Sequence, residues 1–348
     1  MPNKHDGGFQ RFSLRKRTAA LAGLLLTVAF VTPTLADYKI VDRIKVPDGG
    51  FDYATFDSAT GRVLMARTDF TTVIDAKTGK VSQLNSAAPG HMAVPVPGTS
   101  LIVLPQRPGM VRIVDMKTDK MLADIKAGQN PDGAVYDSFS KTVFVMNHDS
   151  GESTVIDPIA RKAVATIPVG GTLEFPTSDG AGKVFVNVTS VPEIAVIDVK
   201  SKTVTARYKL DGCRGASGLA YATKSKLLIS SCGNGMAKVL QADTGKEIAS
   251  LPIARGPDAV IYDPVRQLAF IPCGGDGVLE VISVADPAHV ASVGHVQTEP
   301  GSRTGTLDPQ SGRLYLMASK PDPAGTPGPG GRGIARVPGT YEVLVISP

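Results

Sequence analysis

Val73-Ile74-Asp75, Ile113-Val114-Asp115, Val155-Ile156-Asp157 and Val196-Ile197-Asp198 decide the fold of this chain, because one apolar block returns at one spacing. Val239-Leu240-Gln241, Val281-Ile282-Ser283 and Val345-Ile346-Ser347 continue the series, and the last residues of successive blocks lie 40, 42, 41, 43, 42 and 64 positions apart. Five near-equal steps mark a structural repeat of about 40 residues. The long sixth step contains the Pro/Gly-rich stretch from Pro321 to Pro338, which reads as a loop insertion in the last repeat.

A second block keeps the same period: Asp57 to Met65, Asp137 to Val145, Asp263 to Ile271 and Asp308 to Leu316. Each is a polar turn followed by a short apolar strand, the pattern of a hairpin. A further turn such as Ala76 to Lys80 and a further strand such as Ala163 to Pro168 follow each Val-Ile-Asp block. One repeat therefore holds four strands in meander order. Four-stranded units of this length, arranged radially, predict an all-β, seven-bladed β-propeller of antiparallel blades. The chain stops after the third strand of the last repeat, whereas Tyr38 to Val46 reads as an isolated fourth strand. The N-terminal strand is expected to complete the last blade and so remove the exposed edges of an open array.

Composition agrees with a turn-rich β chain. Of 348 residues, 37 are Gly and 26 Pro without a collagen period, and 42% are hydrophobic, too many for a disordered chain. There is no Trp and only 5% aromatic residues, a poor supply for stacking single-stranded nucleic acid. The net charge of +5 is unevenly placed. Lys4, Arg11, Arg15, Lys16 and Arg17 stand against Asp6, and the apolar run Ala19 to Val31 leads to Thr-Pro-Thr-Leu-Ala36. This is the layout of a secretory signal over residues 1–36, cut after Ala36, with an apolar run too short for a transmembrane helix. Export by the general route to the periplasm or medium is expected, with no transmembrane span left after cleavage and residues 37–348 forming one propeller domain. Removing the segment's net +4 leaves +1, so nucleic acid is not favoured as a partner, although a local basic patch stays open.

The chain resembles the YncE-like propellers of 40-residue YVTN repeats found in bacterial periplasms and surfaces, over essentially all of residues 38–348. The echoes are Asn130-Pro-Asp-Gly133, Gly171-Thr-Leu-Glu-Phe175, Val184-Phe-Val-Asn187, Gly212-Cys213 with Ser217-Gly-Leu219, Ser231-Cys232-Gly-Asn234, Asp243-Thr-Gly-Lys246 and Arg303-Thr304. The resemblance implies binding roles, DNA among them for some members, with lactonase-like relatives as the enzymatic counterpart.

Functional residues are sought on the face shared by the loops entering each blade and those joining its second and third strands. Five residues back from each first-strand anchor stand Asp52, Met92, Asp132, Glu174, Ser217, Asp258 and Arg303, with His91 beside Met92. Asp52, His91, Asp132, Glu174, Asp258 and Arg303 would then ring the channel mouth as a ligand site. Carboxylate oxygens of Asp52, Asp132, Glu174 and Asp258 suit a divalent cation such as Ca²⁺, and Arg303 an anionic group. A purely structural reading of the same residues treats Asp132 and Asp258 as turn formers and Arg303 as their counter-charge. Arg67, Asn147, His148, Asp149 and Asn234 fall on the same face, with His148 read as a solvated turn residue; His289 and His295 read as surface.

Three cysteines follow the signal. Cys213 enters blade 5 and Cys232 ends that blade's second strand, so a Cys213–Cys232 disulfide is expected, with Cys273 free; three unpaired thiols are the alternative. No nucleophile elbow, phosphate loop, zinc-protease helix or EF-hand loop occurs. The leading expectation is a non-catalytic, monomeric binding protein for a small polar ligand or a protein partner. The enzymatic alternative is a metal-dependent lactonase-like hydrolase whose channel-mouth carboxylates hold the cation.

Overall fold

The computed structural model describes Gly7, Gly8 and residues 38–87, 89–325 and 335–348. The expected signal segment, and residues 326–334 of the Pro/Gly-rich stretch, lie outside the described residues apart from Gly7 and Gly8.

Seven four-stranded antiparallel sheets follow one another along the chain. Blade 3 is typical: Pro131–Asp137, Thr142–Asn147, Glu152–Asp157 and Lys162–Pro168 pair in sequence order. The first strands of all seven sheets touch their neighbours in a closed circuit, so the ring has no gap and the first strand of each blade is innermost. The burial pattern explains the sequence pattern. Second and third strands, such as Arg62–Arg67 and Glu193–Asp198, are sandwiched between adjacent blades and buried almost throughout, which demands the continuous Val/Ile/Leu runs. Outer strands such as Thr203–Lys209 alternate between exposed positions and partly or fully buried ones.

The seventh blade is closed by the N-terminal strand. Lys39–Lys45 pairs with Glu342–Ser347, Lys39 opposite Ser347 and Lys45 opposite Glu342. Arg43 ties this strand down by ion pairs to Glu342 and Glu299. Tyr38 packs its ring on Phe270 of blade 6 with centroids 4.9 Å apart. A contact made only by residues at opposite ends of the chain thus removes both sheet edges at once.

One irregularity positions the site. In blades 1, 3, 4 and 5 the inner strand loses register with its neighbour just inside the mouth, between Phe51 and Ala54, Pro131 and Ala134, Leu173 and Pro176, and Ala216 and Leu219. Each interruption leaves two residues outside the ladder: Asp52-Tyr53, Asp132-Gly133, Glu174-Phe175 and Ser217-Gly218. Such bulges re-aim side chains. Glycine is required at the second position wherever the next blade comes close: a Cβ on Gly133 would lie 2.8 Å from Pro176, and one on Gly218 2.5 Å from the Ala259 backbone.

Cys213 and Cys232 are joined, with Cα atoms 5.4 Å apart, and Cys273 is free and buried. No helix of the described residues is long and apolar enough to cross a membrane.

Candidate functional site

The bulges set acids around the channel mouth and aromatic rings beneath them. Tyr53 and Phe175, from blades 1 and 4, meet with ring centroids 4.9 Å apart and form an apolar floor. Above it, His91 accompanies two carboxylates: its Nδ1 lies 2.8 Å from Asp52 Oδ2 and 3.6 Å from Asp132 Oδ1. Neighbouring blades are stitched here by backbone contacts, Tyr53 N–H donating to the His91 carbonyl (3.1 Å) and the Thr304 hydroxyl to the Asp52 carbonyl (2.8 Å). Asp258 is held by Arg303, whose Nε is 2.8 Å from Asp258 Oδ2.

His148 is not the solvated turn residue that its loop suggests. Its Nδ1 is 2.8 Å from the Leu173 carbonyl and 3.4 Å from Glu174 Oε1. A carbonyl only accepts, so Nδ1 carries the proton, and Nε2 lies 3.8 Å from Asp149 Oδ1. Arg67 and Asn147 also depart from the loop reading. Both are fully buried, Arg67 donating to the carbonyls of Pro47, Gly49 and Gly50, and Asn147 Nδ2 to the Thr154 hydroxyl. Met92 is buried, and its neighbour His91 takes the mouth position in blade 2. His289 and His295 are exposed on the rim.

Asp132 is common to the two tightest groups. Ligand atoms of Asp52, His91 and Asp132, and of Asp132, His148 and Glu174, lie within 4.8 Å of one another. Asp258 belongs to neither group. Asp132 Oδ1 is buried without a hydrogen-bond partner, its nearest cation being His91.

The electrostatics follow from crowding acids above a dry floor. Burial, then the charges of Asp132, Asp258 and Asp52, push the Glu174 carboxyl up to about 8. Burial pushes Asp258 up to about 7 despite the opposing pull of Arg303, with Asp52 and Asp132 adding to the rise. Asp132 is raised by burial and by Asp52, against His91 and His148. Burial pulls the His91 imidazole down, but the hydrogen bond to Asp52 and the charges of Asp132 and Asp52 more than offset it, so its proton is held more firmly than usual. The Tyr53 phenol is raised well above its ordinary range by burial and by all four carboxylates. Near neutral pH, Glu174 is mostly protonated, and His91, between two aspartates, holds its proton more firmly than a free imidazole. A metal ion entering either group would replace protons as the counter-charge. The donor sets are mixed imidazole and carboxylate, which suits Zn²⁺ or Mn²⁺ better than the all-oxygen shell of Ca²⁺.

Two signals in the sequence lead to residues that counting back from the inner strands leaves out. Tyr53 and Phe175 each follow a mouth acid where the equivalent positions hold Gly133 and Gly218. The position just after each second strand reads Thr68, Arg107, His148 and Thr189 in blades 1 to 4, so the same period locates His148 and Arg107.

No protein-family model matches this chain, and no curated protein matches it in sequence. Solved structures do. A chain of Kuenenia stuttgartiensis hydrazine synthase is similar with a TM-score of 0.68 at 16% identity, covering 78% of this chain and 94% of that one. A chain of a mitotic checkpoint complex gives 0.70 at 14% identity, covering 97% and 99%. The structure of U3-55K gives 0.75 at 9% identity, covering 91% and 100%. At these identities the likeness establishes the seven-bladed β-propeller fold and carries no activity with it.

Proposed function

We propose that this chain is a binding propeller that takes a divalent cation of the Zn²⁺ or Mn²⁺ type at its channel mouth, with Asp132 as the central ligand. The observation that carries this reading is the Asp132 carboxylate. It belongs to both three-residue groups, and its Oδ1 is buried with no hydrogen-bond partner. A buried anion without a donor is costly, and a bound cation relieves that cost. His91 meets Asp52 and Asp132 through its Nδ1, so a cation entering this group would take the place of the Nδ1 proton. His148 and Glu174 fill the second group. The fold neighbours include chains of both a synthase and a checkpoint complex, so the site rather than the fold carries the choice. The resemblance to YncE-like propellers and the N-terminal pattern support an exported protein of that kind, with the Cys213–Cys232 disulfide suited to an oxidising compartment.

The test is calorimetric titration of the metal-stripped propeller with Mn²⁺, Zn²⁺ and Ca²⁺ in two buffers of different ionisation enthalpy. The expected result is binding with proton release, Mn²⁺ or Zn²⁺ ahead of Ca²⁺, lost in Asp132→Asn. Absence of binding heat and of any thermal shift with all three ions at millimolar concentration would overturn the proposal.

The Asp52–His91 hydrogen bond also favours a hydrolytic reading, since a carboxylate orients the imidazole. Lactone turnover by the metal-stripped protein that disappears in His91→Gln would support it.

A further inference from the structure

Beside the cation groups, on the same face, a cavity of about 380 Å³ opens between blades 1 and 2. Asp52 and His91 form one wall, and Arg107, Thr68, Phe51 and Gly90 are among the other lining residues. Its charge is opposite to that of the mouth. Arg107 spends its Nε on Asn130 Oδ1 at 2.7 Å and forms no ion pair with any described residue, although it lies close enough to act on both His91 and Asp132. Arg67 lines the cavity from below, its donors committed to three carbonyls and the Thr72 hydroxyl rather than to a carboxylate. Asp48, the nearest acid to act on Arg67, accepts from the Gly339 amide instead. The one acid in the cavity wall, Asp52, is already bridged by His91. Two guanidinium groups and an imidazole therefore face a single, engaged carboxylate.

We infer that this cavity is an anion subsite for a small carboxylate-bearing ligand. Arg107 receives the carboxylate through its outer nitrogens, supported by the exposed Thr68 hydroxyl, while another oxygen of the ligand reaches the cation held by Asp52, His91 and Asp132. A guanidinium fork matches a carboxylate geometrically. The volume sits at the small end of the range for ligand pockets, about 300–1,000 Å³, which points to a ligand of few heavy atoms. The subsite rests on the cation reading only for the bridging step. Arg107 and the cavity stand without it.

Succinate and its neutral analogue succinamide are titrated by calorimetry into the whole mature propeller, metal-stripped and then saturated with Mn²⁺. The subsite predicts that succinate binds and succinamide does not. Arg107→Gln should weaken succinate at least tenfold without weakening Mn²⁺, and Arg107→Lys should retain part of the binding. Mn²⁺ should tighten succinate at least tenfold, an effect lost in Asp132→Asn. Equal succinate affinity in Arg107→Gln and wild type, or no succinate binding in either metal state at 10 mM, overturns the subsite whatever Mn²⁺ does. Arg107-dependent succinate binding in a protein that takes no Mn²⁺ upholds the subsite and overturns the cation reading and the bridge.

Discussion

Glu174→Gln in the metal-free propeller tests the electrostatics on which the candidate site depends. Its carboxyl is pushed from an ordinary 4.5 to about 8 by burial and by Asp132, Asp258 and Asp52. Between those two values the folded protein holds a proton that the unfolded chain has released. Stability then falls as pH rises from about 4.5 to about 8, and is flat with respect to this group on either side. A shift of 3.5 units at about 1.4 kcal/mol each sets the full penalty near 5 kcal/mol above pH 8. Glutamine is uncharged at every pH, so the variant should gain ~3–5 kcal/mol over wild type at pH 9 and nothing at pH 4. With an unfolding entropy of about 2.1 cal/mol/K per residue over about 310 residues, each kcal/mol moves the melting temperature by roughly 1.5 °C. The expected difference is a rise of ~5–7 °C at pH 9 that vanishes at pH 4. Calorimetric melts of both proteins in EDTA across pH 4–9 measure it. Parallel curves would refute the account, because a carboxylate comfortable at the mouth has no penalty for glutamine to remove. The same substitution should weaken Mn²⁺ in the second group, making this a site where stability is given up for binding.

Three further outcomes follow from other parts of the ring. Reducing Cys213–Cys232, or replacing both residues with Ser, opens a loop of 19 positions and should lower stability by ~3 kcal/mol; a thiol titration of unfolded, unreduced protein should find one group, Cys273, and a count of three would refute the bridge. Tyr38→Ala removes the ring packed on Phe270 and should cost ~3 kcal/mol, and deleting residues 38–46 should lower the melting temperature of the whole ring; an unchanged melt in the deletion would contradict closure by that strand. Asn187→Ala should cost ~2–3 kcal/mol by denaturant titration, because its buried amide donates to the Ser217 and Gly218 carbonyls at 2.8 and 3.0 Å and accepts from Ser230, which hold the blade 5 bulge; a loss below 0.5 kcal/mol would mean that the bulge stands without it.

The repeat of Val-Ile-Asp blocks was enough to determine the architecture. A blade is a local object, since its four strands are consecutive and each must bury its Val, Ile and Leu residues against a neighbouring copy. Periodicity in sequence therefore becomes periodicity in space. Closure was legible for the same reason: an orphan strand at Tyr38 to Val46 and a missing fourth strand after Ser347 have one solution that leaves no open edge. Counting by the period also carried Asp52, His91, Asp132, Glu174, Asp258 and Arg303 to the same mouth.

What only the tertiary structure decided is which of those residues meet, and in what charge state. Asp258 is taken up by Arg303, while Asp132 stands between two histidines, one of which, His148, looked like an ordinary turn residue. The physical reason is the inner-strand bulge. It offsets the side-chain alternation that sequence reasoning relies on, so whether the residue after a mouth acid is Tyr53 across the channel or Gly133 beneath a neighbouring blade depends on how close the next blade comes. Burial above the Tyr53–Phe175 floor then turns acids that would be ordinary in a surface turn into groups with raised pKa values, because desolvation is a property of the assembled ring and of no single repeat.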